Sequence, residues 1–292
     1  MPSLRDMSKR IKSVKSTQKI TRAMKMVAAA KLRKAQDEVR KARPFAQKLE
    51  QTIAHLTKRL ELQGQAPHPL LVNKGLKRRV EVVVLTSDRG LCGGFNTNIL
   101  RKSERFLFDA KSEYEEIRIS TLGKKGYEHF MREGKSVRTN YQDVLTHASY
   151  KKASEISAEI CKSYVQENVD AVFLVYNEFK SAISQTVVVK QMLPIKPAPL
   201  LDTVSPVDYI YEPEQRELLN SLIPKYFATL LYQSFLESVA SEYGSRMTAM
   251  DNATRNAKEM ISSLTLKYNR ARQAAITSEL MEIIGGAEAI SA

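Results

Sequence analysis

The chain has 292 residues and a formal net charge of +14, with 43% hydrophobic residues, 7% aromatic residues and no tryptophan. No apolar run reaches the ~20 residues that a membrane-spanning helix needs. We therefore expect no membrane span. The two cysteines, Cys92 and Cys161, show neither CxxC nor Cys/His spacing, so we also expect no disulfide framework and no metal site.

Residues 4–60 follow one continuous helical pattern. Apolar residues three and four apart predict a coiled-coil seam at Leu32, Ala35, Val39, Ala42, Ala46, Leu49, Ile53, Leu56 and Leu60. An earlier stripe starts at Leu4, and Ile20, Met24 and Val27 continue it out of phase, which predicts a slip in the seam. Ser3 is placed to cap the helix, whereas Pro44 predicts a kink or a break, because proline removes a helical hydrogen bond.

The positive charge is concentrated in this first segment. Residues 1–60 contain 17 Lys or Arg and four Asp or Glu, so the segment carries nearly the whole excess of the chain. Such a stripe implies an acidic partner, and the residues alone leave three classes open: nucleic acid, an anionic membrane, or a protein with clustered carboxylates.

The middle of the chain changes period. A Gly- and Pro-containing stretch at 64–75 predicts a linker, and short β-branched runs then predict strands at 80–86, 117–122, 171–177 and 186–193. Amphipathic helical stretches near 97–111, 124–133 and 149–167 separate the first three. Alternating strands and helices predict an open, largely parallel sheet with Rossmann-like winding.

Helical periodicity returns from Glu214 to Ile284. Its seam runs through Leu218, Leu222, Tyr226 and Leu230, then Met250, Ala253, Ala257, Ile261, Leu264, Tyr268, Ala271 and Ala275. Gly285 and Gly286 predict its end. Neither terminal helix can bury its stripe alone, so the predicted fold class is α/β: a long antiparallel coiled coil of the N- and C-terminal helices plus a Rossmann-like α/β domain. The predicted domains are 1–62, 75–208 and 209–292.

The segment SDRGLCGGFN (87–96) lies between a predicted strand and a predicted helix, where doubly wound folds bind phosphates. Its glycines do not make GxGxxG, and no GK[ST] follows, so a tight turn is favoured over a nucleotide site. The four histidines have no convincing nucleophile or carboxylate partner in the sequence. An enzyme that binds a nucleotide at this turn remains the second hypothesis, and a nucleic-acid or membrane binder acting through residues 1–60 is the third.

Three segments resemble the signatures of a known family. KSTQKITRAMKMVAAAKLRKAQ (15–36), SDRGLCGGFN (87–96) and TAMDNATRNAKEMISSLTLKYNRARQAAITSELMEIIGGAEA (248–289) closely resemble the ATP synthase gamma subunit, and the match runs from end to end. Because the resemblance begins almost at Leu4, it implies a bacterial or already mature form. It also implies a central rotor shaft without an active site or cofactor, which couples proton-driven rotation of a c-ring to ATP synthesis or hydrolysis.

The same resemblance implies partners, residues and a location. The partners are the hexameric ring of alpha and beta subunits, the epsilon subunit and the c-ring, with no nucleic acid, at the cytoplasmic face of the cell membrane. Residues matched to the family's contact positions are Arg272, Gln273 and Thr277 for the "catch" loops of the ring, Met24, Arg246 and Cys92 for the acidic lever of beta, and Tyr209, Tyr211 and Glu212 for the c-ring. No dithiol insertion of the chloroplast kind is present, so no thiol switch is expected.

Overall fold

The computed structural model describes residues 3–62, 66–166, 169–181, 184–196, 212 and 214–291. The chain forms two compact units, one of residues 1–28 with 247–292 and the other of residues 29–246. Two long helices run through both: α1 (Leu4–Leu62, 59 residues) and the last helix, α5 (Gln215–Ser291, 77 residues). Among the described residues, no helix is long and apolar enough to cross a bilayer.

The start of α1 is capped as predicted. The backbone N–H of Asp6 donates to Ser3 Oγ at 3.1 Å, and that hydroxyl donates to the Asp6 carboxylate at 2.7 Å. Asp6 also places a negative charge in the first turn, which favours the helix dipole. The helix continues through Pro44 without a break, because packing of the seam at Ala46 and beyond maintains it.

The seam of α1 keeps one phase, and the predicted slip is wrong. Its inward positions near the start of the helix are Leu4, Met7, Ile11, Val14, Gln18, Thr21, Met24 and Ala28. Ile20 and Val27, expected in the seam, are each 57% exposed. The prediction failed because it required apolar residues, whereas polar Thr21 is 8% exposed and bonded to Thr254 Oγ1 at 2.8 Å.

The second unit contains a five-stranded sheet. Its strands are β1 (Arg79–Leu85), β2 (Glu116–Leu122), β3 (Val137–Tyr141), β4 (Ala171–Phe179) and β5 (Gln185–Leu193). Their order is β3-β2-β1-β4-β5, with β5 antiparallel to β4 and the other neighbours parallel. The helices α2 (Phe95–Ala110), α3 (Lys124–Arg132) and α4 (Tyr150–Gln166) connect the parallel strands. The predicted Rossmann-like winding is confirmed.

The strand β3 was not predicted. Its sequence, VRTNY, contains one apolar aliphatic residue, and every position is only half-buried. It forms because the edge of β2 offers unpaired backbone groups, which is a tertiary requirement. The central strand β1 is easier to recognise, because Val80 and Val82–Leu85 are buried almost completely.

The helix α5 continues past its predicted end. Gly285 and Gly286 lie inside it, and neither has the positive φ of a terminating glycine. The predicted seam of α5 is buried or half-buried at every position from Leu218 to Leu230 and from Met250 to Ala275. Within the second unit, Phe227, Leu231 and Phe235 add α5 to the main core.

Contacts inside each unit give the two long helices opposite directions. In the first unit, Thr21 meets Thr254 and Lys25 meets Asp251. In the second, Lys31 Nζ donates to the Tyr243 hydroxyl at 3.2 Å, and Glu50 is hydrogen-bonded to Tyr226. As numbers rise along α1, their partners fall along α5, so the predicted antiparallel pairing is confirmed.

Candidate contact sites on the turn and the long helices

The turn between β1 and α2 is filled by its own side chains. The Asn96 amide exchanges hydrogen bonds with Ser87: it accepts from the Ser87 backbone N–H at 3.0 Å and donates to Ser87 Oγ at 2.8 Å. It also contacts Cys92 Sγ at 3.3 Å. These bonds close the turn on its own side chains, which is the geometry expected of a compact turn.

Cys92 is the buried centre of this turn. Its side chain is 2% exposed, and burial raises the pKa of its thiol. The Cys92 carbonyl accepts the backbone N–H of Phe95 at 3.2 Å, which starts α2. The residue therefore shapes the turn from inside, and its thiol presents almost no surface to a partner.

Arg246 joins α5 to the turn. Its guanidinium donates from Nη2 to the Gly90 carbonyl at 3.3 Å and pairs with Glu242 Oε1 at 2.7 Å, one helical turn away. It also lies over the Tyr243 ring, 5.5 Å from the centroid. The structure thus brings two of the residues predicted to be contact positions, Cys92 and Arg246, to the same turn.

Glu242 is the buried partner in this pair. The side chains of Arg246 and Glu242 are 12% and 9% exposed, so the ion pair is largely shielded from water. Burial raises the pKa of the Glu242 carboxyl, and the neighbouring Arg246 opposes that rise. Because a shielded ion pair requires good geometry, the two side chains hold each other in fixed positions.

Leu91 is the feature that sequence reasoning missed. It lies at the tip of the turn with φ +61° and is 67% exposed. A leucine rarely adopts a left-handed backbone conformation, and its preceding glycine has an ordinary φ. The sequence offered one signal, since Leu91 lies among three glycines in a ten-residue turn. That pattern directed attention to the glycines and not to the leucine.

Met24 lies in the first unit, where it is half-buried in the α1 seam. Its neighbour Lys25 bridges to α5, with Nζ 2.5 Å from Asp251 Oδ1. Arg255 pairs with the other oxygen of Asp251 at 2.6 Å. Hydrogen bonds from Lys25 and Arg255 lower the pKa of the Asp251 carboxyl, so this site ties the two helices electrostatically.

Arg272, Gln273 and Thr277 share an exposed part of α5. Thr277 Oγ1 donates to the Gln273 carbonyl at 2.9 Å, a bond within the helix that leaves the guanidinium and the amide free for other partners. Every residue from 276 to 287 is exposed. Five of them are large and apolar: Ile276, Leu280, Met281, Ile283 and Ile284.

Of the residues predicted to meet the c-ring, only Glu212 is described. It is exposed and lies just before α5. Tyr209 and Tyr211 lie outside the described residues. Within the described parts of the chain, no group of three His, Cys, Asp or Glu is arranged to hold a metal ion.

Comparison with known proteins decides the family. A family model described as ATP synthase matches residues 3–290. The ATP synthase gamma chain of an Anaeromyxobacter species is 52% identical over 290 residues, which covers 99% of this chain and 100% of the relative. The chain belongs to the ATP synthase gamma chain family. The gamma chain of Geobacter metallireducens, another relative, is 50% identical over 99% of both chains.

Solved structures agree with this gamma chain assignment. A chain from the central stalk and c-ring structure of the Tetrahymena thermophila mitochondrial ATP synthase matches 80% of this chain and 99% of its own length, with 27% identity and a TM-score of 0.60. A chain from an OSCP/F1/c-ring structure of the Euglena gracilis enzyme matches 98% of this chain and 94% of its own, with a TM-score of 0.67 and 20% identity. The second likeness concerns the fold alone.

Proposed function

We propose that this gamma chain is the central rotor shaft of its ATP synthase and has no active site of its own. The main support is the exposed end of α5. Every residue from 276 to 287 is exposed there, and five of them have large apolar side chains. Such a helix end is marginal in water by itself and is stabilised when other subunits enclose it. A hexameric ring of alpha and beta subunits offers such an enclosure.

The basic face of α1 supports an acidic partner on the outside of the helix pair. Of its 17 Lys and Arg residues, all except Lys25 and Arg59 are exposed. Exposed charges in water attract over about a Debye length and are individually weak. We therefore infer that α1 faces the carboxylate-rich lever of beta, in a contact that favours proximity without locking one orientation.

The matched residues receive roles on the same basis. Arg272, Gln273 and Thr277 contact the catch loops of the ring, and Met24, Arg246 and Cys92 belong to the region that meets the lever. Tyr209, Tyr211 and Glu212 belong to the part that meets the c-ring, and the α/β domain within 75–208 binds epsilon. The protein works as a peripheral component at the cytoplasmic face of the cell membrane.

Coupling requires that the shaft contact the beta subunits differently in different orientations. A partner can shift an equilibrium only by its differential affinity for the states. The helix pair meets this condition because its faces differ: the seam side is apolar and the outer side of α1 is basic. Rotation driven by proton flow through the c-ring would then change the nucleotide affinity of each alpha–beta site in turn.

The test is reassembly of the full chain into the membrane-bound ATP synthase, with alpha, beta and epsilon subunits and the c-ring, so that proton coupling can be measured. We expect one chain per hexameric ring, no ATPase activity from the chain alone, and coupled turnover from the complex. Arg272→Glu combined with Gln273→Glu should impair coupled turnover or assembly, whereas Arg132→Glu, at an exposed position on α3, should not. Normal coupling in the double variant would remove the role assigned to these two residues, and failure of the native chain to join the ring would remove the proposed function.

A further inference from the structure

We propose that Leu91 is the residue through which the β1–α2 turn contacts a partner subunit, and that the Glu242–Arg246 pair positions it. The proposal rests on the proposed function and deepens it, because it replaces Cys92 with Leu91 as the contacting side chain at this site. It assigns Arg246 mainly to the turn within its own chain.

The exposed leucine has no role in stabilising the chain by itself. Leu91 is 67% exposed, so its side chain contributes little to the core. Its φ of +61° is unfavourable for any residue with a Cβ, and glycine would adopt it freely. A residue that is both strained and exposed, in a turn that already contains Gly90, Gly93 and Gly94, points to a requirement outside the chain.

Burial separates Leu91 from its neighbour. Cys92 points into the turn and is 2% exposed, so a partner that approaches the turn meets Leu91 first. Arg89 is exposed two residues earlier. The tip therefore presents one apolar side chain beside one guanidinium, and the surface that complements it is an apolar recess bordered by carboxylates.

The position of this tip is fixed from α5. Arg246 donates to the carbonyl of Gly90, which immediately precedes Leu91, and Glu242 holds the guanidinium at 2.7 Å. Tyr243 lies under the same guanidinium, and Lys31 of α1 donates to the Tyr243 hydroxyl. Through these contacts the turn is bonded to α5, and α5 is bonded in turn to α1, so a force on Leu91 reaches α5 first and α1 through it.

The partner is the beta subunit, whose carboxylate-rich lever the proposed function assigns to this region and whose charge complements the exposed Arg89. A protein surface fits the turn better than a phosphate-bearing ligand, because Leu91 is 67% exposed and a phosphate offers no apolar contact for it. A leucine that inserts into a recess also gives a discrete contact, which a purely electrostatic surface does not.

The main test compares Leu91→Gly and Leu91→Ala with Leu76→Gly, which removes another exposed leucine of the same unit. All are made in the full chain and reassembled into the complex. We expect Leu91→Gly to leave the melting temperature of the free chain unchanged or higher, because the strain is relieved. We also expect the chain to leave the complex about ten-fold faster, since burying one leucine is worth roughly that factor or more. Leu91→Ala should also dissociate faster without the gain in melting temperature.

The positioning role is tested with Glu242→Gln, which keeps the shape of the side chain and removes its charge. Hydrogen exchange should accelerate at the turn amides of residues 89–95 while the β1 amides stay protected, and dissociation from the complex should accelerate as well. A purely structural role for Glu242 would instead change exchange throughout the unit.

Two results would overturn the proposal. One is Leu91→Gly behaving like Leu76→Gly in the complex, and the other is unchanged exchange at the turn in Glu242→Gln. Both are read in a complex that has assembled and turns over with the native chain. Either result would therefore overturn the role of Leu91 without overturning the proposed function.

Discussion

Among the glycines whose surroundings the structure describes, Gly123 is the one where an added methyl group would meet the closest backbone atom. It joins β2 to α3 with φ +105° and ψ 146°, a region used almost only by glycine. A Cβ built there lies 2.1 Å from the Thr86 carbonyl oxygen, and that neighbour is backbone. Thr86 is held in turn by its N–H bond to the Leu122 carbonyl at 2.8 Å, so it cannot move without disturbing the β1–β2 pair.

For Gly123→Ala we expect a loss of about 3 kcal/mol or more in the free energy of unfolding. Backbone strain accounts for about 1–3 kcal/mol and the forced shift of Thr86 for about 1–3 kcal/mol. Two controls separate these contributions. Gly134→Ala has φ +67° and nothing within 4 Å, so it should lose only about 1–2 kcal/mol, whereas Gly90→Ala has an ordinary φ and open space and should change little.

The assay is urea unfolding followed by tyrosine fluorescence, since the chain has 12 tyrosines and no tryptophan. Hydrogen exchange at β1 and β2 amides shows whether the loss is centred on the sheet. If Gly123→Ala is no more destabilised than Gly134→Ala, the close approach to Thr86 does not control stability and the reasoning is refuted.

Three further predictions concern charge and the exposed helix end. Asp251→Asn should lower stability near pH 7, because hydrogen bonds from Lys25 and Arg255 favour the ionised carboxylate. The difference in stability should vanish as the pH falls through the lowered pKa of Asp251. Melting curves across acid pH would check this, and a difference that does not change with pH would contradict it. Glu237→Gln should raise the melting temperature at pH 8 and raise it less at pH 4. Burial raises the Glu237 pKa, so the native chain loses stability as the pH rises and this carboxyl ionises. An equal change in melting temperature at both pH values would argue against burial as the cause. Ile283→Asp should change the stability of the free chain by less than about 0.5 kcal/mol, since the residue is exposed. The variant chain should nevertheless be recovered in the complex in smaller amounts than the native chain. Equal recovery of the two chains in pull-downs would count against enclosure of this helix end.

The parts of the fold that sequence predicts are those governed by local pattern. The seam of α5 repeats at helical spacing over many turns, and every seam position is at least half-buried. The valine run of β1 is likewise a strong signal. β3 escaped prediction because its formation depends on an edge of β2 that no local pattern records. The helix end predicted at Gly285 and Gly286 was wrong. A glycine ends a helix where the backbone turns to a positive φ, and neither of these glycines has one.

The candidate sites divide in the same way. The family motifs predicted Arg246 and Cys92 as contact positions, and the structure bonds Arg246 to the Gly90 carbonyl and buries Cys92 in the same turn. The exposed state of Leu91 and the buried state of Cys92 could not be read from adjacent letters in one turn, because they depend on a single φ angle. Glu242 escaped for a related reason: a glutamate four residues before an arginine on a helix is usually a solvated pair, and only the packed unit buries it.

The hydroxyl pair in the first unit has a consequence for alignment along the helix axes. Thr21 and Thr254 meet at 2.8 Å within a seam that is otherwise largely apolar. Apolar side chains tolerate a slide of one heptad, about 10 Å, because one methyl group replaces another. Thr21 has less freedom, since a slide would place its hydroxyl against hydrocarbon and break its contact with Thr254, leaving only the bond within α1 to the Gln18 carbonyl at 3.1 Å. The pair therefore favours one axial alignment of the two helices within the first unit, because any other alignment loses the contact between the two hydroxyls.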